Sequence, residues 1–249
     1  MYKGTSLILI LITLLFTETV NAQLPAAQNN KVSLRKAYYG GVQLHTSGWG
    51  ATFTYSKFKT FKTKNTLSFE LVSLKHSKET KRISTNDERA KSYHYGKLNT
   101  LTLLRLNKGI KKIIYEKKRD QGLEVAYNIK YGVTVGFLKP VFLEILKVTA
   151  NQKIELVSER YDPEFHHVNN IYGRSSKLMG LSQTKLTGGG NFKASFIFDF
   201  SSSRKKVKSL ELGAGVDVFY KEVPLMAKIK NTFIYPTVFL NFQFGKKTL

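Results

Sequence analysis

FKASFIFDF, residues 192–200, decides the fold. Phe192, Ala194, Phe196, Phe198 and Phe200 fall on one side of an extended chain, with Lys193, Ser195, Ile197 and Asp199 on the other. Successive strand side chains point to opposite faces, so one face here is apolar and the other carries formal charge in mid-strand. The same period recurs elsewhere. Residues 49–56 set Trp49, Ala51, Phe53 and Tyr55 against Gly50, Thr52, Thr54 and Ser56. Residues 123–131 set Leu123, Val125, Tyr127, Ile129 and Tyr131 against Glu124, Ala126, Asn128 and Lys130. In residues 210–220, Leu210, Leu212, Ala214, Val216, Val218 and Tyr220 oppose Glu211, Gly213, Gly215, Asp217 and Phe219.

A soluble β-sandwich also alternates, but three details favour a membrane barrel. The segments run about nine to fourteen residues, long enough to cross a bilayer at a tilt, where ordinary strands average five or six. Aromatic residues (Trp49, Tyr55, Tyr131, Phe192, Phe200, Tyr220) mark the ends of apolar faces, as an interfacial girdle does. The opposite faces carry Glu70, Glu124, Lys130, Lys193, Asp199, Glu211 and Asp217, which a barrel turns into a polar lumen. With Arg105 included, these charges are expected to pair across a narrow interior, because unpaired charge there is costly. That predicts a plug rather than an open pore.

The predicted class is therefore all-β, a single up-and-down antiparallel transmembrane β-barrel over residues 36–249. Strands are expected near 36–46, 49–57, 65–75, 95–106, 110–117, 121–131, 132–146, 188–200, 207–220 and 231–244. The segment 110–117 is the weakest, and Leu98 to Leu106 alternates imperfectly. Even parity favours ten strands, with eight as the alternative. With both ends periplasmic, the short connections 58–64, 107–109 and 201–206 lie inside. Those at 76–94, 147–187 and 221–230 face outward, the largest being a long extracellular loop at 147–187.

The chain opens MYKGTSLILILITLLFTETVNAQ. One Lys, an apolar run too short to span a bilayer as a helix, and small residues before Gln23 predict a cleaved signal peptide over residues 1–22. Residues 23–35 then form an N-terminal periplasmic segment. The absence of cysteine excludes a lipid-anchored lipoprotein, disulfide frameworks and thiolate metal sites. Forty Lys and Arg against 17 Asp and Glu give a net charge of +23. For an exported chain this points to an anionic surface, with phosphorylated lipid head groups as partners rather than nucleic acid.

The last strand, TFIYPTVFLNFQFGKKTL, puts Val238, Leu240, Phe242 and Phe244 on one face and Asn241 and Gln243 on the other. Pro236 is expected to mark a bulge. Such an aromatic-rich final strand resembles the signal by which outer-membrane barrels are recognised by the assembly machinery. Together with GGVQLHTSGWG, SYHYGKLNTLTLLR, GFLKPVFLEI and YDPEFHHVNNIYGRSS, the FGKK ending is similar to a family of small Bacteroidota outer-membrane β-barrel proteins. The resemblance covers most of the mature chain. It implies the outer membrane and the barrel. The expected partners are outer-membrane lipids including lipopolysaccharide, and a protein of that membrane. That family has no established activity, so it assigns no catalytic residue and no cofactor.

Two segments merit attention as sites. The loop between His76 and His94 carries Lys78, Lys81, Arg82, Arg89 and Lys91, a candidate clamp for lipid phosphates. YDPEFHH, residues 161–167, resembles a metal or acid/base set, but Asp162-Pro163 favours a turn, and adjacent His166 and His167 project to opposite sides. With Tyr161, Phe165 and Tyr172 it is expected to build a folded cap or partner surface. No metal site is expected there. Three functions remain open: a non-enzymatic scaffold or partner-binding barrel, a lipid A-modifying enzyme using His94, His166 or His167 with a Ser and Asp162, and a narrow channel.

Overall fold

The computed structural model describes residues 36–60, 62–83, 90–117, 122–148, 153–202 and 206–248. The predicted signal peptide and the segment 23–35 lie outside them. In chain order the strands are β1 (Lys36–His45), β2 (Gly48–Phe58), β3 (Thr63–Leu74), β4 (Lys81–Arg82), β5 (Tyr93–His94), β6 (Asn99–Tyr115) and β7 (Glu124–Pro140). There follow β8 (Phe142–Val148), β9 (Ile154–Arg160), β10 (Ile171–Arg174), β11 (Lys185–Asp199), β12 (Lys206–Phe219) and β13 (Ile234–Thr248).

Eight of them close a barrel in the order β1-β13-β12-β11-β7-β6-β3-β2, every pair antiparallel. Closure satisfies every ladder, which is the condition for crossing hydrocarbon without helices. No helix of the described residues is long and apolar enough to cross a membrane. The four quoted alternations keep their predicted faces. Lys193, Ser195, Ile197 and Asp199 are buried in the interior, while Phe192, Phe196 and Phe200 are exposed on the wall.

Eight strands replace ten because two expected turns do not exist. Residues 107–109 lie inside β6, where Gly109 pairs with both Thr66 and Lys130. Gly132 lies inside β7, between Asn107 and Asn191. A Cβ on Gly132 would stand 2.0 Å from the Leu106 carbonyl oxygen, so this glycine serves close strand approach rather than a turn. The short connections at this end of the barrel are therefore around 59–62, 116–123 and 200–205.

The barrel portion of the seventh expected strand, 132–146, also stops early. Pro140 pairs with Asn99 as the last rung of β7, and without an N–H it cannot extend the ladder further. Beyond Val141 the buried positions shift from even to odd, with Leu143 and Ile145 inside a separate sheet of order β10-β8-β9. The long loop is thus 141–184 and contains this sheet. Pro236 marks no bulge: β13 keeps an unbroken register with β12 through Val216 and Pro236. On its other side β1 has already ended, at His45 opposite Phe239, so no strand there needs a proline N–H.

The loop end of the barrel is closed by apolar packing. Val72, Leu74, Leu101, Leu103 and Leu138 point inward there and pack with Val223, Leu225 and Met226 of the loop 220–233. This is why residues 98–106 alternate imperfectly: Leu101 and Leu103 face an apolar plug, not a polar lumen. Asn231 shapes the plug loop, accepting from Leu225 N at 3.0 Å and donating to Met226 O at 3.2 Å. Leu98 N and Ala227 N tie it to the loop 75–98 through Leu225 O and Gly96 O. The three-stranded sheet sits on these loops through a second core of Tyr93, Leu143, Ile145, Tyr161 and Ile171. The segment that fills the barrel mouth is therefore 220–233, and the long loop covers it from outside.

Candidate functional site

Six charges meet at mid-barrel. Arg105 donates to Asp217 through Nε at 2.8 Å and Nη2 at 2.7 Å, and its Nη1 lies 3.3 Å from Glu70 Oε2. Lys193 Nζ donates to the same Glu70 oxygen at 2.7 Å. Lys130 Nζ lies 2.9 Å from Glu211 Oε1 and 3.9 Å from Glu70 Oε1. Neutral donors complete the shell: Ser195 Oγ and Gln243 Nε2 each at 2.6 Å from Glu211, and Asn107 Nδ2 at 3.2 Å from Glu70. Three cations face three carboxylates, all buried, so the network is compensated within itself. Inward Gly109 and Gly215 make room for it: a Cβ there would stand 2.9 Å from Lys130 Cγ and 2.8 Å from Lys193 Cγ.

Nearer the chain termini, Asp199 takes Lys117 at 3.1 Å and Lys247 at 3.2 Å. Glu124, half-buried at the short-turn end, takes Lys64 at 3.6 Å and Lys111 at 3.7 Å. The seven expected lumen charges and Arg105 are therefore all lumenal. Lys64, Lys111, Lys117 and Lys247 were not among them, although Lys111 and Lys247 stand at inward positions that continue the alternation.

YDPEFHH is a self-contained turn. Asp162 Oδ1 accepts from Glu164 N at 3.0 Å, and Asp162 O accepts from His166 N at 2.9 Å. His166 Nδ1 accepts from Asp162 N at 3.0 Å, with Nε2 3.4 Å from Glu159 Oε2. The ring nitrogens of His166 therefore face Asp162 of the turn and Glu159 at the end of β9. Tyr161 and His166 are buried, Phe165 and His167 exposed, and Tyr172 is half-buried in β10. Tyr161 packs against Tyr95, and burial pushes its phenol up to about 12.

Of the expected phosphate clamp, Lys78 lies in an exposed turn, Lys81 and Arg82 are exposed in β4, Lys91 is exposed, and Arg89 lies outside the described residues. Arg82 is held over the Tyr95 ring at 5.6 Å. Lys78, Lys81, Arg82 and Lys91 do not line the basic cleft nearby. That cleft is a second basic site. It measures about 410 Å³ and lies between the ends of β3, β6 and β7 and the chain 174–179, with Lys75, His94, Lys97, Lys139, Arg174 and Lys177 in its lining. Among the described residues no Asp or Glu lines it. Lys97 is paired with Glu79 at 2.7 Å, and Lys139 Nζ donates to the Lys177 carbonyl. Among the described residues no carboxylate lies within ion-pair distance of Lys75, Lys139, Arg174 or Lys177. Burial, with Lys97 next, lowers the His94 pKa from its ordinary value. Sequence order hides this site, since its cations come from two connections and the end of β7, spread between Lys75 and Lys177.

No family model matches the chain, and no curated protein does. Among solved structures, Ail, the attachment invasion locus protein of Yersinia pestis, in complex with the heparin analogue sucrose octasulfate, is similar at a TM-score of 0.41 and 6% identity. The match covers 87% of this chain and all 100% of that one. Neisserial surface protein A is similar at a TM-score of 0.37 and 5% identity, over 86% of this chain and 95% of that one. These likenesses are too slight to carry a function across. The closed even-numbered barrel, with its apolar wall and polar filling, makes this chain an outer-membrane β-barrel protein.

Proposed function

We propose that the protein is a non-enzymatic barrel of the small Bacteroidota type. Its lumen conducts nothing, and its folded loop end is a binding surface facing outward, with both termini periplasmic. The observation that carries this reading is the lumen: a compensated charge network at mid-barrel and an apolar plug of Val223, Leu225 and Met226 at the loop end. An eight-stranded interior is just wide enough for side chains to fill it. The cap supports the second half of the reading. It exposes Ile154, Phe165, Leu178 and Leu181 to solvent, on a surface that its own two sheets and turns hold in shape.

Purified protein in a planar bilayer is expected to give no conductance at any voltage; resolved unitary steps would return the channel reading. The chain has no cysteine, so Phe165→Cys or Leu178→Cys carries a unique cross-linker in intact cells. A discrete adduct from cap positions, with none from Gly190→Cys on the barrel wall, is expected. Lipid A of altered mass in cells lacking the gene would instead favour the enzyme.

A further inference from the structure

We infer that the basic cleft is a binding site for the phosphorylated head group of an outer-leaflet lipid, whose acyl chains lie along the outer face of β3, β6 and β7.

Position decides between a lipid and a soluble anion. Ser73, Thr100 and Lys139 line the cleft from the outer face of the barrel, because their neighbours Val72, Leu74, Leu101 and Leu138 are the inward, buried ones. Below the row of Ser73, Thr102 and Phe137, residues Leu71, Leu104 and Val135 stand in one row across the three strands, and Phe69, Leu106 and Val133 form the next row. All six in these two rows are exposed on the wall. The lower row opens into an apolar depression of about 500 Å³ lined by Leu67, Leu106, Tyr131, Val133 and Gly190 among others. The depression exists because Gly190, an outward position of β11, has no side chain. A polar cleft above a continuous apolar track is the layout of an amphiphile, head at the rim and tail in the bilayer.

The chemistry of the cleft selects the head group. Arg174, Lys75 and Lys177 have no carboxylate partner among the described residues, so they present uncompensated positive charge to whatever enters. Arginine and lysine together suit a phosphate, the arginine by its paired N–H donors. A second, independent sign is Tyr93. Its side chain is 1% exposed, lines the cleft, and its hydroxyl has no hydrogen-bond partner among the described residues. A buried hydroxyl without a partner costs free energy, and an anionic oxygen in the cleft relieves that cost. The cleft volume lies at the low end of the roughly 300–1,000 Å³ usual for small-molecule sites, enough for a phosphate carried on one sugar-sized body. The inference rests on the outward orientation of the loop end but not on the absence of enzymatic activity or on a protein partner.

The test uses the full mature protein in detergent and in nanodiscs. Native mass spectrometry with a phosphorylated glycolipid should show a retained one-to-one adduct. The dephosphorylated glycolipid should bind about tenfold more weakly, the loss of one charge-assisted contact. Arg174→Ala with Lys177→Ala should weaken the adduct by about tenfold or more, and Tyr93→Phe by a few-fold. Gly190→Leu, whose Cβ meets only ordinary contacts, fills the depression and should weaken lipid binding while leaving calorimetric binding of the free sugar phosphate unchanged. Heat-modifiable migration checks that each variant folds. Equal binding of free sugar phosphate and lipid, or indifference to Gly190→Leu, overturns the lipid assignment. No adduct in wild type overturns the site altogether. Cap cross-links that persist in that case leave the binding-surface reading of the loop end standing.

Discussion

The lumen and the cleft outside β7 use the same kinds of side chain and treat them in opposite ways. Inside, Arg105, Lys130 and Lys193 each lie within ion-pair distance of Glu70, Glu211 or Asp217, and none reaches solvent. Outside, Lys97 alone of the cleft's lysines and arginine has a carboxylate, Glu79, among the described residues. Low dielectric forces the first arrangement: a buried charge without a partner costs several kcal/mol, so lumenal ions persist only as a balanced set. No such force acts at the rim, where water screens the cations, and there an excess of one sign remains free to attract. The charges that look most dramatic in sequence are thus structural, and the plain loop lysines are the ones left free to recognise something.

Removing a lumenal partner should therefore have the largest effect. Arg105→Ala leaves Asp217 and Glu70 underpaired in a closed space and should cost about 3–5 kcal/mol of barrel stability. Urea titration in micelles, followed by the heat-modifiable band, measures this. The double variant Arg105→Leu with Asp217→Leu should recover part of that loss. A single-variant cost below about 1 kcal/mol would break the contrast between lumen and rim. The plug comes next. Leu225→Ala, at a position with no solvent exposure, should cost about 2–4 kcal/mol by the same titration.

The smallest effects belong to the cap. His166→Ala removes an acceptor and a packing partner from the 161–167 turn and should cost about 1 kcal/mol locally. Amide exchange should quicken in residues 161–170 and stay unchanged in the barrel strands. Acid should act in the same place. The Lys147 ammonium donates to Glu159 and holds its carboxyl below the usual range. A lowered carboxyl pKa means that the unfolded cap binds more protons, so this stabilisation is present above about pH 4.5 and fades as pH falls further. Exchange in β8 and β9 should rise on acidification through that range, and Lys147→Ala should abolish the difference.

The barrel was legible because its interior repeats a two-residue rule that lipid and lumen both enforce. Phe192 to Phe200 and Leu123 to Tyr131 needed no structure to be sorted into wall and lumen. Strand count was less legible, since glycine is ambiguous: Gly109 and Gly132 suggest turns in sequence but serve close packing of long strands in space. The plug was hidden for a related reason. Leu101 and Leu103 break the polar pattern of an inward face, and only the return of Leu225 and Met226 from far along the chain explains them. The cleft was the least legible feature. Lys75, Lys139 and Arg174 share no period and no segment, and only the ends of three strands bring them together.

The barrel is sealed by β1 against β13, ten rungs from Lys36 opposite Thr248 to His45 opposite Phe239. These strands stand at opposite ends of the described chain, so the seam cannot form before residues 239–248 have been made and delivered. Until then two strand edges stay open, each a template for pairing with the wrong chain. The order of synthesis thus makes the last ten residues of β13 a timing device: the molecule is competent to aggregate for as long as they are missing, and safe once they arrive. Lys247, paired with Asp199 of β11, holds the end of β13 from the lumen side, ready for β1 to close on it.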